Sequence, residues 1–438
     1  MDRLFSSDAT EPGHPYWWEG IDWPALDAPP PDRIDLLVIG AGYTGLSAAI
    51  AGHDAGAKVA VIDAHQPGQG ASTRNGGMVG AHPRLGWDAL AREFGADTAD
   101  AIFAEAAPAL GWVRDLIERE EIECDFQQTG RIQLAWTDAH FASQKQLARI
   151  VAEKSPVRID ILEKHELGAE IKTGLYKGGI VFHEHGALHP ARFHCGLLDA
   201  VLRRGISVSG ANPAIKLAKD ASGFQISTPH KTIYADKIVL ATNGYTSTPF
   251  NWFARRVFPL PSFLIATEPL SPNLIGDIAP GRRMMVETRA RHSYFRVSPD
   301  GTRILYGGRA SMVNVDLKTA ACRLHATMTE VWPELHNTKI THVWTGNTGY
   351  SFNHMPTVGQ QDGIHYAMGF SGSGTVMAPY LGAKAAWQAL GDPQGETAYS
   401  QTRLKPRWFH TGGSPHFLRA ADLWYRNWVD RAENRAAR

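Results

Sequence analysis

The chain has 438 residues, 43% of them hydrophobic and 20% charged, with a formal net charge of +0. That length is too great for one simple core and suits two closely packed domains. A balanced charge argues against broad attraction to nucleic acid or to an anionic membrane.

The cysteines Cys124, Cys195 and Cys322 form no CxxC pair. This points to a reducing compartment and away from cysteine-built metal or iron–sulfur sites. No uncharged apolar run reaches the roughly 18 residues of a membrane span, and no apolar run near the start precedes a small-residue cleavage site. A cytoplasmic protein is expected.

Residues 1–33 carry Trp17, Trp18 and Trp23, then Pro29, Pro30 and Pro31, and read as an arm laid over the surface. Asp35–Ile39 is a short apolar strand ending at glycine. A helix follows through His53, then a second strand, Lys58–Ile62, ending at Asp63. Apolar positions at helical spacing from Leu90 to Ile117 predict two helices within 87–122.

Phe126–Trp136 and Gly179–Leu188 read as strand-like, and Pro190–Arg203 as a helix with proline at its start. A strand-rich run ends in Lys237–Ala241. Strands are then expected at Phe263–Glu268, Arg291–Val297 and Arg303–Gly307, a helix at Leu317–Glu330, and strands at His342–Gly346 and Tyr366–Met368. The last strand enters a glycine cluster and a helix to Leu390. His416–Val429 predicts a docked terminal helix with Phe417, Ala421, Trp424 and Trp428 on its apolar face.

The pattern that carries chemistry is Gly40-Ala41-Gly42-Tyr43-Thr44-Gly45, set between strand and helix. Gly40 permits the tight turn, Gly42 lets backbone approach a pyrophosphate, and Gly45 lets helix and strand pack closely. The free N–H groups of the helix start, including those near Tyr43 and Thr44, suit a phosphate. Asp63, at the end of the next strand, suits a ribose hydroxyl.

This fingerprint alone does not separate NAD from FAD. A glycine-rich loop follows directly, Gly68-Gln69-Gly70-Ala71-Ser72-Thr73-Arg74-Asn75-Gly76-Gly77, and no second GxGxxG occurs mid-chain. One tightly held dinucleotide is therefore expected. Near the C-terminus, Gly369-Phe370-Ser371-Gly372-Ser373-Gly374-Thr375 opens a second helix whose start would favour negative charge on a reduced flavin; a plain helix cap is the alternative.

With these residues in place, the chain resembles the D-amino-acid-oxidase-like (DAO) superfamily of FAD-dependent oxidoreductases. It is most similar to the gamma-glutamylputrescine oxidoreductase and glycine/sarcosine oxidase branch. The matching stretches are VIGAGYTGLSAA, GASTRNGG, LHPARFHCGLLDA, DKIVLATNGYT, SYFRVSPDGTRILYGGR and MGFSGSGTVMAPYLGAKAA, in order across residues 35–390.

The resemblance implies a mixed α/β and α+β fold, a Rossmann-type FAD-binding domain interleaved with an antiparallel-sheet substrate domain. Residues 1–33 would be the arm; 34–90, 185–250 and 340–392 the discontinuous FAD-binding domain; 91–184 and 251–339 mainly the substrate domain and helices; 393–438 a tail with a helix. Position by position, it places Ser72, Arg74, Asn75, Gly76 and Gly77 around the flavin and its diphosphate. Ala214 falls at the adenine, and Ala241, Thr242 and Gly244 on the strand passing the dinucleotide. Gly346, Gly372, Ser373, Gly374, Thr375 and Val376 fall beside the isoalloxazine ring.

Sarcosine oxidases attach flavin through a late cysteine, absent from Gly349–Met355 here, and Arg74 stands where dimethylglycine-type enzymes carry an anchoring histidine. FAD is therefore expected to be non-covalent. The oxygen-activating lysine of sarcosine oxidases matches Leu305, which implies modest use of oxygen relative to another acceptor. The expected reaction is hydride transfer from a carbon beside nitrogen to flavin N5, with hydrolysis of the resulting imine.

The substrate implied is a small amine or amino acid, touched by Tyr294, Arg296, His292, Tyr350 and His354. A D-amino-acid or amino-phosphonate enzyme would present Arg291, Arg296 or Arg309 to the acidic group. A flavin-bearing electron-transfer or assembly protein without turnover is the reading outside enzymes. His183, His185, His189 and His194 crowd one segment, but the missing carboxylate or cysteine argues against a metal site.

Overall fold

The computed structural model describes residues 4–26 and 28–437. Arg33–Ile39, apolar on both faces as a central parallel strand must be, lies inside a sheet. Its strand order is 357–361, 364–368, 232–240, 33–39, 59–62, 207–209. Pairing is parallel from 364–368 to 207–209, and an antiparallel hairpin, Lys216–Asp220 with Gly223–Ser227, is added beside 232–240.

Helices Tyr43–Asp54 and Gly374–Leu390 cross on this sheet. They approach backbone to backbone, because a Cβ at Gly382 would overlap the carbonyl of Thr44. Both glycine-led helix starts are thereby brought to the same edge of the sheet.

The second sheet runs 340–351, 257–267, 304–308, 293–297, 284–287, 131–134, 178–182, 159–163. All its pairs are antiparallel except 284–287 with 131–134. Directly paired residues share a face, so one row crosses six strands: Trp344, Leu264, Gly307, Tyr294, Val286, Gln133. That row turns toward the dinucleotide sheet. Helix Leu317–Val331 covers the other face with Ala320, Leu324 and Met328 buried.

Several expectations are corrected here. Strand Ile340–Ser351, grouped in sequence with the FAD-binding segments, is the edge of the second sheet. Helix Asp138–Lys154 and strand Ile159–Glu163 had no expectation, since the helix buries only Phe141, Gln144, Ala148 and Val151 and the strand is mostly solvated. The arm lies over the surface as expected, mostly exposed or half-exposed, and is anchored by Pro15, Trp17, Leu26 and Pro30, with Trp17 0% exposed.

The terminal helix docks through Leu418 and Asp422 with Phe417 and Ala421 packed beside them as expected, while its tryptophans stay exposed. Asp422 accepts the backbone N–H of Met312 at 2.8 Å and pairs with Arg426. This turns Trp424 and Trp428 outward, where they stack on each other with centroids 5.0 Å apart. Among the described residues no helix is long and apolar enough to cross a membrane.

Candidate functional site: a dinucleotide cradle opening on a cationic cavity

The glycine turn has the geometry its spacing implies. Gly40 has φ +108° and a Cβ there would meet the Ala241 carbonyl at 2.9 Å, while a Cβ at Gly45 would overlap the Gly40 carbonyl. At Gly42 a Cβ would lie 2.8 Å from Ser72 Oγ, which itself accepts the Tyr43 N–H at 3.0 Å. Asp63 accepts the N–H groups of Ala41 at 2.7 Å and His65 at 2.9 Å, while burial pushes its carboxyl pKa up.

His194, fully buried, holds the Ala41 carbonyl from its other side at 2.8 Å. A cavity of about 350 Å³ runs from this turn past Asp63, Asn212, Ala214, Ala241 and Thr242 to Gly372, Gly374 and Thr375. The buried Asn212 Oδ1 has no partner among the described residues. An elongated slot with a phosphate-seeking turn, a ribose-seeking carboxylate and a second helix start fits FAD.

The loop after the second strand is tied down by indoles. Trp17 Nε1 donates to the Asn75 carbonyl at 2.8 Å, Trp344 Nε1 to the Arg74 carbonyl at 2.9 Å, and Trp18 Nε1 to Thr73 Oγ1 at 2.9 Å. Arg74 packs over Trp18 at 4.4 Å and donates to the carbonyls of Gln69, Gly13 and Thr345. Asn75 Oδ1 accepts the Gly77 N–H at 2.8 Å. At Gly77, φ is +70° and a Cβ would overlap the Leu188 carbonyl.

A second cavity, of about 550 Å³, abuts the first. Ala71, Asn75, Thr348, Gly372 and Thr375 line both, so the reactive end of a ring held in the slot meets this space. Its floor is the cross-strand row, with Leu264, Tyr294, Val286 and Gln133. Tyr294 fills the gap over Gly307, where any Cβ would clash with its ring, and its hydroxyl bonds Ser262 Oγ at 2.9 Å.

One wall is cationic. Arg309 donates to Tyr350 Oη at 2.6 Å, Arg84 donates to the Ser371 carbonyl at 3.2 Å, and both guanidinium groups lie over the Tyr350 ring, at 5.3 and 5.4 Å. Among the described residues neither has a carboxylate partner. Burial, with Arg309 and Arg84 adding to it, holds the His292 imidazole well below its usual pKa. Glu287 also reaches the cavity, but Arg289, Tyr176 and the Ser293 N–H already occupy it, at 2.9, 3.0 and 2.9 Å.

The expected substrate contacts separate accordingly. Tyr294, Tyr350 and His292 line the cavity; His354 backs Tyr350 edge-on at 5.8 Å and does not line it. Arg296 lies one row further along its strand, bonded to the carbonyls of Leu188 and Val297 and facing Trp17. Leu305 pairs with Arg296 across the sheet and is sealed under Trp17, Leu264 and Trp344, outside the cavity. Arg291 is held by Asp430 of the terminal helix.

Of the flavin-loop and second-helix positions, Arg74, Gly76, Gly346 and Ser373 line the substrate cavity. Gly244 meets backbone at Gly349 and Val376 is core. Arg84 and Arg131 had no sequence signal, since each is a single arginine whose meaning depends on what packs beside it. The four crowded histidines go to separate tasks: His183 to Asp160, His185 stacked on Phe182, His189 capping the helix at Arg192, His194 on Ala41.

A family model described as DAO, FAD dependent oxidoreductase, matches residues 35–387. The chain is 30% identical over 384 residues to the "Probable oxidoreductase OrdL" of Rhizobium meliloti, covering 86% of this chain and 88% of that one. It is 27% identical over 368 residues to the gamma-glutamylputrescine oxidoreductase of Escherichia coli, covering 84% and 86%. In fold it is similar to the glycine oxidase of Geobacillus kaustophilus, with a TM-score of 0.70 at 18% identity, covering 86% of this chain and 99% of that one.

Proposed function

The chain belongs to the DAO family of FAD-dependent oxidoreductases, and from that premise we propose that it oxidises a C–N bond beside an acid group in a small amine or amino acid. The observation that carries this reading is the pair Arg84 and Arg309, which flank Tyr350 at the junction of the two cavities without a carboxylate of their own. Guanidinium groups in that state are made for a carboxylate or phosphonate.

When bound, FAD supplies the hydride acceptor for oxidation of the carbon beside nitrogen. The protein does the rest by placement. Arg309 and Tyr350 Oη fix the acid group, and Tyr294 and Leu264 form an apolar floor that orients the C–H and excludes water. Among the described residues the carboxylate lining the cavity, Glu287, is already engaged, so none is free for the substrate nitrogen, and nearby cations disfavour its ammonium form. The amine is therefore bound neutral, with its lone pair available.

γ-Glutamylputrescine, the compound named in the E. coli relative, carries both an amine and an acid group and belongs in the first test. The cavity itself weighs against a flavin carrier without turnover. An anaerobic panel of amines, N-substituted amino acids and D- and L-amino acids, read by loss of flavin colour, tests the proposal. Bleaching is expected from compounds with an acid group near the C–N bond and not from their carboxamide isosteres.

A further inference from the structure

Arg131 sits at the far end of the same cavity, two residues along its strand from Gln133 and on the same face. Gln133 lies two strands from Tyr294 along the cross-strand row, about 10 Å at the spacing of paired strands. Arg131 is a further cation of this cavity, on a strand three removed from 304–308, which Arg309 follows, whereas Arg74 and Arg289 in the same wall are already engaged by carbonyls and by Glu287.

The Arg131 side chain makes no hydrogen bond and no ion pair among the described residues, and its buried Nε has no partner. Its one face is covered by Phe182 at 4.7 Å. His82 and His185 pack on the same ring, and both are held neutral, burial pushing His82 down to about 3. Glu287, the carboxylate in the cavity wall, is fully engaged by Arg289, Tyr176 and Ser293. Arg131 is half-buried, and its guanidinium faces the cavity with neither hydrogen bond nor counter-charge, a partly desolvated cation that an arriving anion would stabilise.

We propose that Arg131, with Gln133 beside it, is a second anion subsite that binds a carboxylate at the distal end of the substrate. The substrate class is then an amine with two acid groups: one beside the oxidised C–N bond at Arg84 and Arg309, the other at the end of an arm reaching across the sheet. The proposal rests on the near-site reading above and adds the far site to it.

The test uses the FAD-loaded enzyme and unreactive probes: α,ω-dicarboxylic acids of increasing length and monocarboxylic acids of matching length, with binding read from the flavin absorbance. At one length the dicarboxylate is expected to bind at least tenfold more tightly than its monocarboxylate partner. Arg131→Gln should remove that advantage and leave monocarboxylate binding unchanged. Gln133→Glu keeps the guanidinium but supplies it with an internal carboxylate, so it should do the same and carries the test if Arg131→Gln fails to fold. No length-dependent advantage in the wild type, or an advantage surviving in both variants, overturns the proposal. Failure of the near-site reading shows separately, as monocarboxylate binding that is absent or indifferent to Arg309→Met.

Discussion

The Trp17 indole N–H reaches the carbonyl of Asn75 at 2.8 Å, across 58 residues of chain. This bond joins the N-terminal arm to the glycine-rich loop whose Asn75 lines both cavities. Trp17→Phe keeps most of the buried ring and leaves the Asn75 carbonyl without a donor, a loss of about 1–3 kcal/mol. FAD affinity and melting temperature of the holoenzyme should both fall. Unchanged FAD affinity would show that the arm does not support the loop.

The turn itself makes a sharper prediction. Gly42→Val drives a branched side chain into Ser72 Oγ and the space above Tyr43 N–H, so the purified variant should be colourless. Asp63→Ala frees the N–H groups of Ala41 and His65 and removes the proposed ribose contact, so FAD should weaken by about 1–3 kcal/mol. Among the described residues no cysteine lines either cavity. Acid precipitation of the wild type should release free FAD, leaving a white pellet.

Acid should also loosen the cofactor through His194. Burial lowers its folded pKa to about 4, below the ordinary value near 6.5, so between those values the unfolded chain binds a proton that the folded chain does not. Stability from the neutral imidazole is complete above about pH 6.5 and falls toward pH 4, by about 1.4 kcal/mol per pH unit. His189, also lowered to about 4 by burial, adds to the same loss, and its capping bond to Arg192 N–H breaks only as the folded imidazole takes up a proton near pH 4. Thermal melts and FAD retention from pH 7 to 4 should fall in parallel, and His194→Gln should flatten the curve.

The cavity contains arginines but no lysine, and Leu305 is sealed beneath Trp17 and Trp344. Oxygen should accordingly be a modest acceptor, with stopped-flow reoxidation of the reduced enzyme slower than turnover with an artificial dye. Leu305→Lys would bury an unpaired ammonium and lower the melting temperature, with no acceleration of reoxidation. An accelerated rate would place that side chain at the flavin after all.

The dinucleotide half was legible because its residues act locally. Gly40, Gly42 and Gly45 are required by one turn, and Asp63 by the end of one strand, so spacing alone carries their meaning. The helix Pro190–Arg203 was legible to the residue for the same reason, its proline and its period being local. The substrate cavity is built from cross-strand neighbours: Tyr294 and Gln133 share it only through pairings between 293–297, 284–287 and 131–134.

A period-2 pattern says which residues share a face and not which strands are adjacent. Arg296 was therefore read as a substrate contact when it lies one row away under Trp17, and Arg84 was passed over in an irregular loop. The terminal helix failed differently. Its tryptophans gave the stronger apolar signal, but the buried Asp422 bond to Met312 sets its rotation.

Arg309 and Tyr350 are proposed to hold an acid group next to the bond that is oxidised. Rapid anaerobic reduction of the flavin, measured for the best acid-bearing amine from the panel and for its carboxamide isostere, tests it in wild type and in Arg309→Met. The wild type should prefer the acid by at least a hundredfold in rate constant over dissociation constant, about 3 kcal/mol. In Arg309→Met that preference should collapse toward unity through loss of the acid alone. Equal reduction by acid and carboxamide in the wild type, or an undiminished preference in Arg309→Met, would show that Arg309 does not hold the substrate's acid group.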